Sequence, residues 1–398
     1  MPNFLSVNRT PPVSPGYNRV TRPKLRTREA MRSWIFDKAL PHWAEHGVDP
    51  VHGGFVEQMS FDGRDAGLSF KRTRVCGRQV YVFTHAQMLG WKDGERLADL
   101  GYEWLTKRAW LGQDKGFART LSREGAVIDA TPDLYDYAFI LFAFAWRHRL
   151  LKDQESLGWL HRTYDFVEAN LRHPSGQGFW NELPNKGWRQ QNPHMHFTEA
   201  CLAAFEATGD ERFALGVRDL VALFQYRLFD RETGTLAEYF TDDWQRAPGD
   251  DGRLVEPGHL MEWAWILGSA HKLIGLRTEH DIRAALRFAE THGVNSATGA
   301  VFDGLRDDGV PINRASRSWP NAERIKGAIA LYELDGFDPA PVIDTSANVL
   351  LTRYLSRVPQ GVWMDQYDAD GNGTSKTVPS STLYHLFLAF AEALRISE

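Results

Sequence analysis

The sequence predicts an all-α fold, an (α/α)6 barrel of twelve helices with six short β-hairpins at the active-site end. The first observation behind this prediction is an internal repeat, in which a glycine opens a strand-like stretch that ends in a polar turn. The second is that two stretches with apolar residues at helical spacing separate successive repeats. The repeats begin at Gly54, Gly116, Gly178, Gly234, Gly299 and Gly361, with spacings of 62, 62, 56, 65 and 62 residues.

The predicted helices cover residues 28–46, 78–91, 94–110, 132–150, 155–171, 193–208, 211–228, 257–274, 279–292, 319–334, 340–356 and 379–396. Proline near the first turn supports five of these starts. The even-numbered helices follow the hairpins and are the more apolar, so we expect them to form an inner ring inside the odd-numbered ones. Twelve helices around one core predict a single catalytic domain over residues 28–398, preceded by an N-terminal tail over residues 1–27.

Composition excludes several classes of protein. The 398 residues include 46 basic and 51 acidic side chains, a net charge of −5, without any run of five basic residues, which argues against nucleic acid as a partner. The longest apolar stretch, residues 138–146, is too short to span a membrane. The N-terminus has no apolar core typical of a signal peptide, and two cysteines are too few for a disulfide framework, so we expect a cytoplasmic protein. A homodimer is a candidate assembly.

Polar residues at the starts of the apolar helices predict the functional site, because these starts surround the mouth of the central cavity. His196, His259 and His385 are separated by 63 and 126 residues, so they occupy nearly equivalent places in three repeats and should converge. The other candidates at helix starts are Arg78, Tyr135, Asn192, Glu262, Trp319 and Glu323. Each also has a structural reading: a histidine or aromatic ring can belong to the core, and either glutamate can be the partner of an arginine or histidine.

These residue types suit proton transfer next to a carbonyl group. A helix N-terminus disfavours imidazolium, so histidines here are expected to be neutral and to act as bases. A neutral imidazole can remove the C2 proton of an open-chain aldose while a guanidinium holds the developing enediolate oxygen. That step needs no metal and no other cofactor.

At these residues the chain resembles the N-acylglucosamine 2-epimerase superfamily, and is most like its mannose isomerases. The matching segments are GRQVYVF from Gly77, DLYDYAF from Asp133, NPHMHFTEA from Asn192, EPGHLMEW from Glu256, SWPNAE from Ser318 and STLYHL from Ser381. The resemblance implies an (α/α)6 barrel that acts on a small sugar. It also implies that His259 and His385 form the acid/base pair, that Arg78 contacts the substrate oxygens, and that the pocket is lined by Asn192, His196, Glu262, Tyr135 and Trp319.

One position departs from the family pattern. Arg74 stands four residues before Arg78, where the family typically has tryptophan, and an added cation there either meets an anionic group on the substrate or points outward. We also expect Tyr135, Trp180, Trp319 and Trp363 to offer rings at the hairpin end on which a sugar could stack.

The expected reaction is the interconversion of a free aldose and ketose of the mannose/fructose type through a cis-enediolate. Sugar 2-epimerisation is an alternative that uses the same residues. An inverting glycoside hydrolase is another, because that chemistry needs two carboxylates about 6.5–9.5 Å apart. Its candidates would be Asp133, Asp136, Glu262, Glu323 and Asp365. A sugar-binding protein without catalysis is a third alternative.

Overall fold

The computed structural model describes residues 22–398, so residues 1–21 of the predicted tail lie outside the described part. Twelve helices are found between residues 22 and 398, three of them ending in a wider π-helical turn. They are α1 (Arg28–Ser33, Trp34–Ala39 and Leu40–His46 in continuous succession), α2 (Thr73–Met88), α3 (Gly94–Trp104, then Leu105–Ala109), α4 (Leu134–Leu151), α5 (Gln154–Asn170), α6 (Gln191–Thr208), α7 (Glu211–Leu223, then Phe224–Leu228), α8 (Pro257–Ile274), α9 (Glu279–His292), α10 (Ser318–Asp335), α11 (Ala340–Val349, then Leu350–Tyr354) and α12 (Leu383–Ile396).

The even-numbered helices form the inner ring. Each packs against the next along the chain, and α12 packs back against α2, so the ring closes. Their side chains are buried nearly all round, as in α4, where the run from Tyr137 to Ala145 is inaccessible to solvent. The outer helices bury one face and expose charged residues on the other, as the patterning predicts. The (α/α)6 barrel is therefore confirmed.

Fourteen short strands in the described part lie at the end where the inner helices begin. They are β1 (Gln58–Met59), β2 (Phe70–Arg72), β3 (Thr120–Ser122), β4 (Val127–Asp129), β5 (Arg189–Gln190), β6 (Phe229–Asp230), β7 (Thr235–Leu236), β8 (Tyr239–Phe240), β9 (Leu254–Val255), β10 (Gly304–Arg306), β11 (Pro311–Asn313), β12 (Ser316–Arg317), β13 (Gln366–Tyr367) and β14 (Val378–Pro379).

Most strand pairing joins neighbouring repeats. The strand that enters an inner helix pairs antiparallel with a strand of the following repeat, as in β2–β3, β5–β8, β9–β10 and β12–β13. The last such strand, β14, pairs with β1 of the first repeat and closes the circle. Local hairpins remain in β3–β4, β6–β7 and β10–β11. The pairs between repeats lie directly before five of the six inner helices, and an isolated bridge between Asp133 and Glu182 takes their place before α4.

The repeat glycines have a common backbone requirement. All six have a positive φ, between 66° and 101°, a region that glycine enters without steric cost. At Gly116 a β-carbon would also lie 1.8 Å from the Tyr137 hydroxyl oxygen. Each repeat therefore contains the same glycine turn, at which the chain reverses direction at the end of the barrel.

Helix α2 begins at Thr73, five residues earlier than the sequence predicts. Gly77 lies within the helix, where a β-carbon would be 2.6 Å from the Phe139 carbonyl oxygen. Glycine at this position therefore allows α2 to pack closely against α4.

The chain immediately before α1 is held against the barrel. Asp344 of α11 accepts hydrogen bonds from the backbone N–H groups of Arg26 and Thr27, and Leu25 is buried. A search of the helices of the described residues finds none long and apolar enough to cross a membrane.

Candidate active site

A polar cavity of about 290 Å³ opens among the starts of the inner helices. Eight of the nine predicted site residues line it: Arg78, Tyr135, Asn192, His196, His259, Glu262, Trp319 and His385. The ninth, Glu323, is completely buried behind the cavity wall. An adjoining outer pocket of about 410 Å³ shares Arg78, Tyr135, Asn192 and Ser381 with this cavity, so the two form one space that widens toward solvent.

Arg78 projects from α2 and is nearly buried, at 5% exposure. One terminal nitrogen donates to the Ser381 carbonyl oxygen at 3.1 Å and the other to the Tyr135 hydroxyl at 2.7 Å. Its guanidinium also lies 4.1 Å from the centre of the Phe139 ring. These contacts fix a cation at the cavity wall, where it can stabilise negative charge that develops on a substrate oxygen.

His385 lies on the other side of the cavity, on the first turn of α12. Its Nδ1 is 2.7 Å from Oε1 of Glu323, and the second oxygen of that carboxylate is 2.7 Å from Nζ of Lys326. Burial, followed by the charges of Arg78 and Lys326, lowers the pKa of His385 well below its ordinary value. His385 is therefore neutral at pH 7, with Nε2 left for the substrate.

His259 has the opposite protonation state. Its Nδ1 lies 2.9 Å from Oε1 of Glu238 and 3.9 Å from Oε2 of Glu256. Burial lowers the pKa of His259, but these two carboxylates outweigh burial and raise it to about 9. The expectation of a neutral imidazole here is wrong, because two nearby carboxylates exceed the partial charge of a helix terminus.

Trp319 links the two histidines. Its ring centre lies 5.0 Å from that of His259 and 5.5 Å from that of His385, so both imidazoles rest against the same indole. Glu238 is itself fixed, because it accepts a hydrogen bond from Gln191, whose side-chain oxygen accepts one from Trp263. An imidazolium and a neutral imidazole are thus held side by side at fixed places.

His196 and Glu262 complete the floor of the cavity. The Nδ1 of His196 lies 3.3 Å from Glu199, which also accepts a hydrogen bond from the Tyr384 hydroxyl at 2.6 Å. Both carboxylate oxygens of Glu262 are buried and have no hydrogen-bond partner among the described residues. Since Glu262 lines the cavity, its oxygens are available to accept hydrogen bonds from a bound hydroxyl compound.

His194 points away from the cavity. Its Nε2 accepts a hydrogen bond from the Phe179 backbone N–H at 3.0 Å, and its Nδ1 lies 2.9 Å from the Gln190 carbonyl oxygen. Burial lowers the pKa of His194 to about 3. His194 is a structural histidine that supports the start of α6.

Two tryptophans expected at a sugar-binding surface lie elsewhere. Trp363 is completely buried and stacks on Trp43 at a ring distance of 5.3 Å. Trp180 packs edge-on against His173 and does not line the cavity or the outer pocket. The expectation for Trp363 is wrong because the hairpin turns its ring under α1 and into the core.

Arg74 lines the outer pocket together with Arg72 and Lys186. Its backbone N–H and its Nε both donate to Asp136, at 2.8 and 3.1 Å, and its guanidinium stands 5.0 Å from the centre of the Tyr135 ring. The added cation thus points neither out into solvent nor into the cavity, but forms one wall of the outer pocket.

Three of the five carboxylates considered for glycoside hydrolysis have other partners. Asp133 caps α4 through the backbone N–H groups of Tyr135 and Asp136 and pairs with Arg119 at 2.9 Å. Asp365 accepts a hydrogen bond from the Ser318 hydroxyl at 2.8 Å. Asp136 is buried against Arg74, and burial raises its pKa to about 7.

Three groups of side chains have the composition of metal ligands, with ligand atoms within 4.8 Å of one another. They are His196, Glu199 and Glu262; Glu238, Glu256 and His259; and Glu262, Glu323 and His385. In the third group the Lys326 ammonium already lies 2.7 Å from Glu323 and 3.7 Å from Glu262, so a cation is present within it.

Four charged residues of the site are absent from the sequence-based set: Glu199, Glu238, Glu256 and Lys326. Glu199 and Lys326 lie further along α6 and α10 than the first turn. Lys326 follows Trp319 and Glu323 at helical spacing, a signal that could have revealed it. Glu238 lies in the turn before β8 and contacts His259 from 21 residues earlier in the same repeat, and sequence spacing gave no indication of this contact.

Comparison with known proteins identifies the family of the chain. The family described as N-acylglucosamine 2-epimerase (GlcNAc 2-epimerase) matches residues 33–389. The chain belongs to this family. It is therefore an enzyme of the sugar isomerase and 2-epimerase class.

Individual relatives of this family member cover almost its whole length. A mannose-6-phosphate isomerase of Rhizobium meliloti is 36% identical, covering 91% of this chain and 95% of that protein. A cellobiose 2-epimerase of Bacteroides fragilis is 22% identical over 87% of this chain and 92% of that protein. A crystal structure of a D-mannose isomerase superposes with a TM-score of 0.83 at 21% identity, covering 92% of this chain and 97% of that one, which shows the shared fold.

Proposed function

We propose that this enzyme interconverts a free aldose and its ketose, of the mannose/fructose type, through a cis-enediolate. The observation that carries the proposal is the pair of histidines in opposite protonation states on the two sides of Trp319. The greater similarity to a mannose-6-phosphate isomerase than to a cellobiose 2-epimerase supports isomerisation.

His385 has the properties of the general base. It is neutral at pH 7, its Nδ1 is occupied by Glu323, and it lines the cavity, so Nε2 can take the C2 proton of an open-chain aldose. Arg78 stabilises the negative charge that then develops on the enediolate oxygen. Return of the same proton to C1, with transfer of the proton of the C2 hydroxyl to O1, gives the ketose.

His259 has the properties of the general acid. With a pKa of about 9 it carries a proton at pH 7 and can donate it to the ring oxygen when the sugar ring opens. Glu238 holds this imidazolium through Nδ1, which leaves Nε2–H for the substrate. The sequence leaves the choice of acid and base between the two histidines open, and the carboxylates around His259 favour this division of roles.

A 2-epimerase is the second candidate function. The supporting observation is that a protonated His259 faces the same cavity as His385, so it could deliver a proton to the opposite face of C2. Isomerisation requires one histidine at the reacting carbons, whereas epimerisation requires both. The two reactions are distinguished by their products.

The test is product analysis in deuterated water over a panel of free sugars: mannose, glucose, fructose and lyxose. We expect fructose from mannose, with solvent deuterium in part of the product. Glucose formed directly from mannose would instead indicate 2-epimerisation. If every sugar remains unchanged and unlabelled, the proposal is wrong for free sugars. Mannose 6-phosphate belongs in the panel because Arg72, Arg74 and Lys186 line the outer pocket.

Two histidine variants provide the matched comparison. H385N should abolish deuterium exchange, because it removes the base. H194N removes a histidine of α6 that does not line the cavity. Deuterium exchange per folded molecule should therefore persist in this variant. Equal loss in both variants would contradict the assignment. A glycoside hydrolase would instead release reducing sugar from an oligosaccharide, would lose this activity when its carboxylates are substituted, and would keep it in H385N. Binding of a sugar without any turnover would indicate a non-catalytic protein.

A further inference from the structure

We propose that Lys326 is a positioning residue that keeps Glu323 as a carboxylate, so that His385 carries its proton on Nδ1 and presents an unprotonated Nε2 to the substrate. This inference concerns the base of the proposed isomerase or epimerase and rests on that function only for its kinetic readout. Lys326 does not line the cavity. It acts through two other side chains.

The number of protons on the Glu323–His385 pair decides whether His385 can be a base, because a second proton on the pair places one on Nε2. If Glu323 is ionised, Nδ1–H of His385 donates to it across 2.7 Å and the lone pair of Nε2 faces the cavity. If Glu323 is protonated, its O–H donates to Nδ1, the ring proton lies on Nε2, and His385 cannot accept the C2 proton. Both arrangements have the same heavy-atom geometry.

Several features of the surroundings favour a protonated Glu323. Its carboxylate has no solvent exposure, and burial, followed by the charge of Glu262, raises its pKa, which stays above its ordinary value although Lys326 lowers it. Glu199 adds a third carboxylate on α6. Two buried carboxylates this close to Glu323 would favour a proton on one member of the group.

Lys326 carries the positive charge that opposes protonation of Glu323. Its Nζ lies 2.7 Å from Oε2 of Glu323 and 3.7 Å from Oε1 of Glu262, and its side chain has no solvent exposure. Burial lowers the pKa of Lys326, but Glu323, Glu262 and Glu199 outweigh it and raise the value above that of a free lysine. A buried ammonium at contact distance stabilises the ionised carboxylate strongly, because the local dielectric constant is low.

The other groups that face Lys326 do not provide this charge. Tyr384 of α12 presents its ring at 5.8 Å and donates its hydroxyl to Glu199. His196 of α6 pairs with Glu199, and Arg78 of α2 donates to Tyr135 and Ser381. Among the described residues, Lys326 is the cation that contacts Glu323 directly.

The first test needs no substrate. In the wild-type protein with ¹⁵N-labelled imidazole rings, the signals of His385 are those lost in H385N, and they should show the Nδ1–H tautomer. An Nε2–H tautomer or an imidazolium in the wild-type protein at pH 7 would overturn the proposal without any lysine variant. An enzyme with the expected tautomer but no activity on any sugar would disprove the proposed function and leave this inference standing.

The second test uses K326M, which keeps the length of the side chain and removes the charge. Its His385 should carry a proton on Nε2. Deuterium exchange at pH 7 should fall by up to about tenfold, with KM within about threefold of wild type. The acid limb of the kcat profile should rise by about one pH unit, because the Glu323–His385 pair then holds its proton more tightly. If K326M lowers kcat by the same factor at all pH values and leaves the tautomer of His385 unchanged, Lys326 has only a packing role.

A double-mutant cycle checks the route of the effect. E323Q keeps an amide oxygen that can accept Nδ1–H but has no ionised form for Lys326 to stabilise. In the E323Q background, K326M should therefore add less than about a threefold change. An equal effect of K326M in both backgrounds would show that Lys326 does not act through Glu323. K272M, which removes a half-exposed lysine from α8 at the opposite end of the barrel, is the matched control and should leave tautomer and pH profile unchanged.

Discussion

At the scale of residues, the two histidines differ because of side chains that do not react. His259 and His385 lie at equivalent places in the repeat and against the same indole, yet the pKa is raised in one and lowered in the other. Glu238 and Glu256 surround the first, whereas Arg78 and Lys326 act on the second. An acid and a base thus arise from the same residue type through their neighbours.

The role of Glu238 can be tested through the alkaline limb of the pH profile. The pKa of about 9 for His259 rests first on Glu238, so E238Q should lower it and move the alkaline limb of kcat/KM toward neutral pH by about one pH unit. The substitution keeps an oxygen that can accept a hydrogen bond from Gln191. E232Q, at an exposed glutamate in the same segment, is the control. An unchanged alkaline limb in E238Q would show that His259 is not the acid that limits the reaction.

Sequence reasoning brought together the residues on the first turns of the inner helices, because repeat spacing fixes their phase. It did not reach the groups that set their protonation. Lys326 lies two turns along α10, beyond the first turn, and only its spacing of three residues from Glu323 indicates its partner. Glu238 lies in the strand region of the same repeat, 21 residues before His259. Its contact with His259 depends on how that region folds back on the chain before α8, where the Glu238 N–H donates to the Leu254 carbonyl oxygen, and local patterns do not specify this.

At the scale of elements, the repeat glycines fix the turns that follow each outer helix. Most helix boundaries could be predicted because proline and polar caps mark them. The start of α2 could not, because Gly77 has a packing function there: a β-carbon would collide with the backbone of α4. The same residue type thus ends an element at one position and lets two helices approach at another.

A comparison of the repeat glycine Gly116 with Gly176, which is not a repeat glycine, separates the backbone role from the packing role. Both have a positive φ, 67° and 75°, but a β-carbon at Gly116 would lie 1.8 Å from the Tyr137 hydroxyl, whereas nothing lies within 4 Å of one at Gly176. G176A should lower the free energy of unfolding by about 1–2 kcal/mol, because it strains only the backbone. G116A should cost about 2 kcal/mol more, because α4 must also shift or lose the hydrogen bond from the Phe117 N–H to Tyr137. Urea unfolding of both variants measures the difference, and equal costs would contradict it.

At the scale of the whole molecule, the barrel is closed twice. Helix α12 packs against α2, and strand β14 pairs with β1, so the two ends of the described chain support each other at both layers. The sequence predicted the number and order of the helices from the repeat. The pairing of strands across repeats could not be predicted, because strands of two or three residues carry no register signal of their own.

Closure of the barrel also buries histidines that must stay neutral, and this makes stability depend on pH. Burial lowers the pKa of His85 and of His194 to about 3, against an ordinary value of 6.5. Below pH 6.5 the unfolded chain binds protons at these positions that the native protein does not, so stability is lost as pH falls. At pH 5 each of these two histidines lowers the free energy of unfolding by about 2 kcal/mol. The raised pKa of His259 acts in the opposite sense, stabilising below pH 6.5 and losing its contribution as pH rises through 9.

Stability should therefore peak near pH 6.5, and His194 provides the test of the acid side. Protonation of its Nε2 would place an N–H against the Phe179 N–H that now donates to it. H194Q should be less stable than wild type at pH 7, but should lose about 2 kcal/mol less between pH 7 and pH 5. H280Q, at a histidine whose side chain is 71% exposed, should keep the wild-type slope. Urea unfolding at several pH values measures this slope, and a slope in H194Q parallel to that of the wild-type protein would show that acid sensitivity originates elsewhere in the barrel.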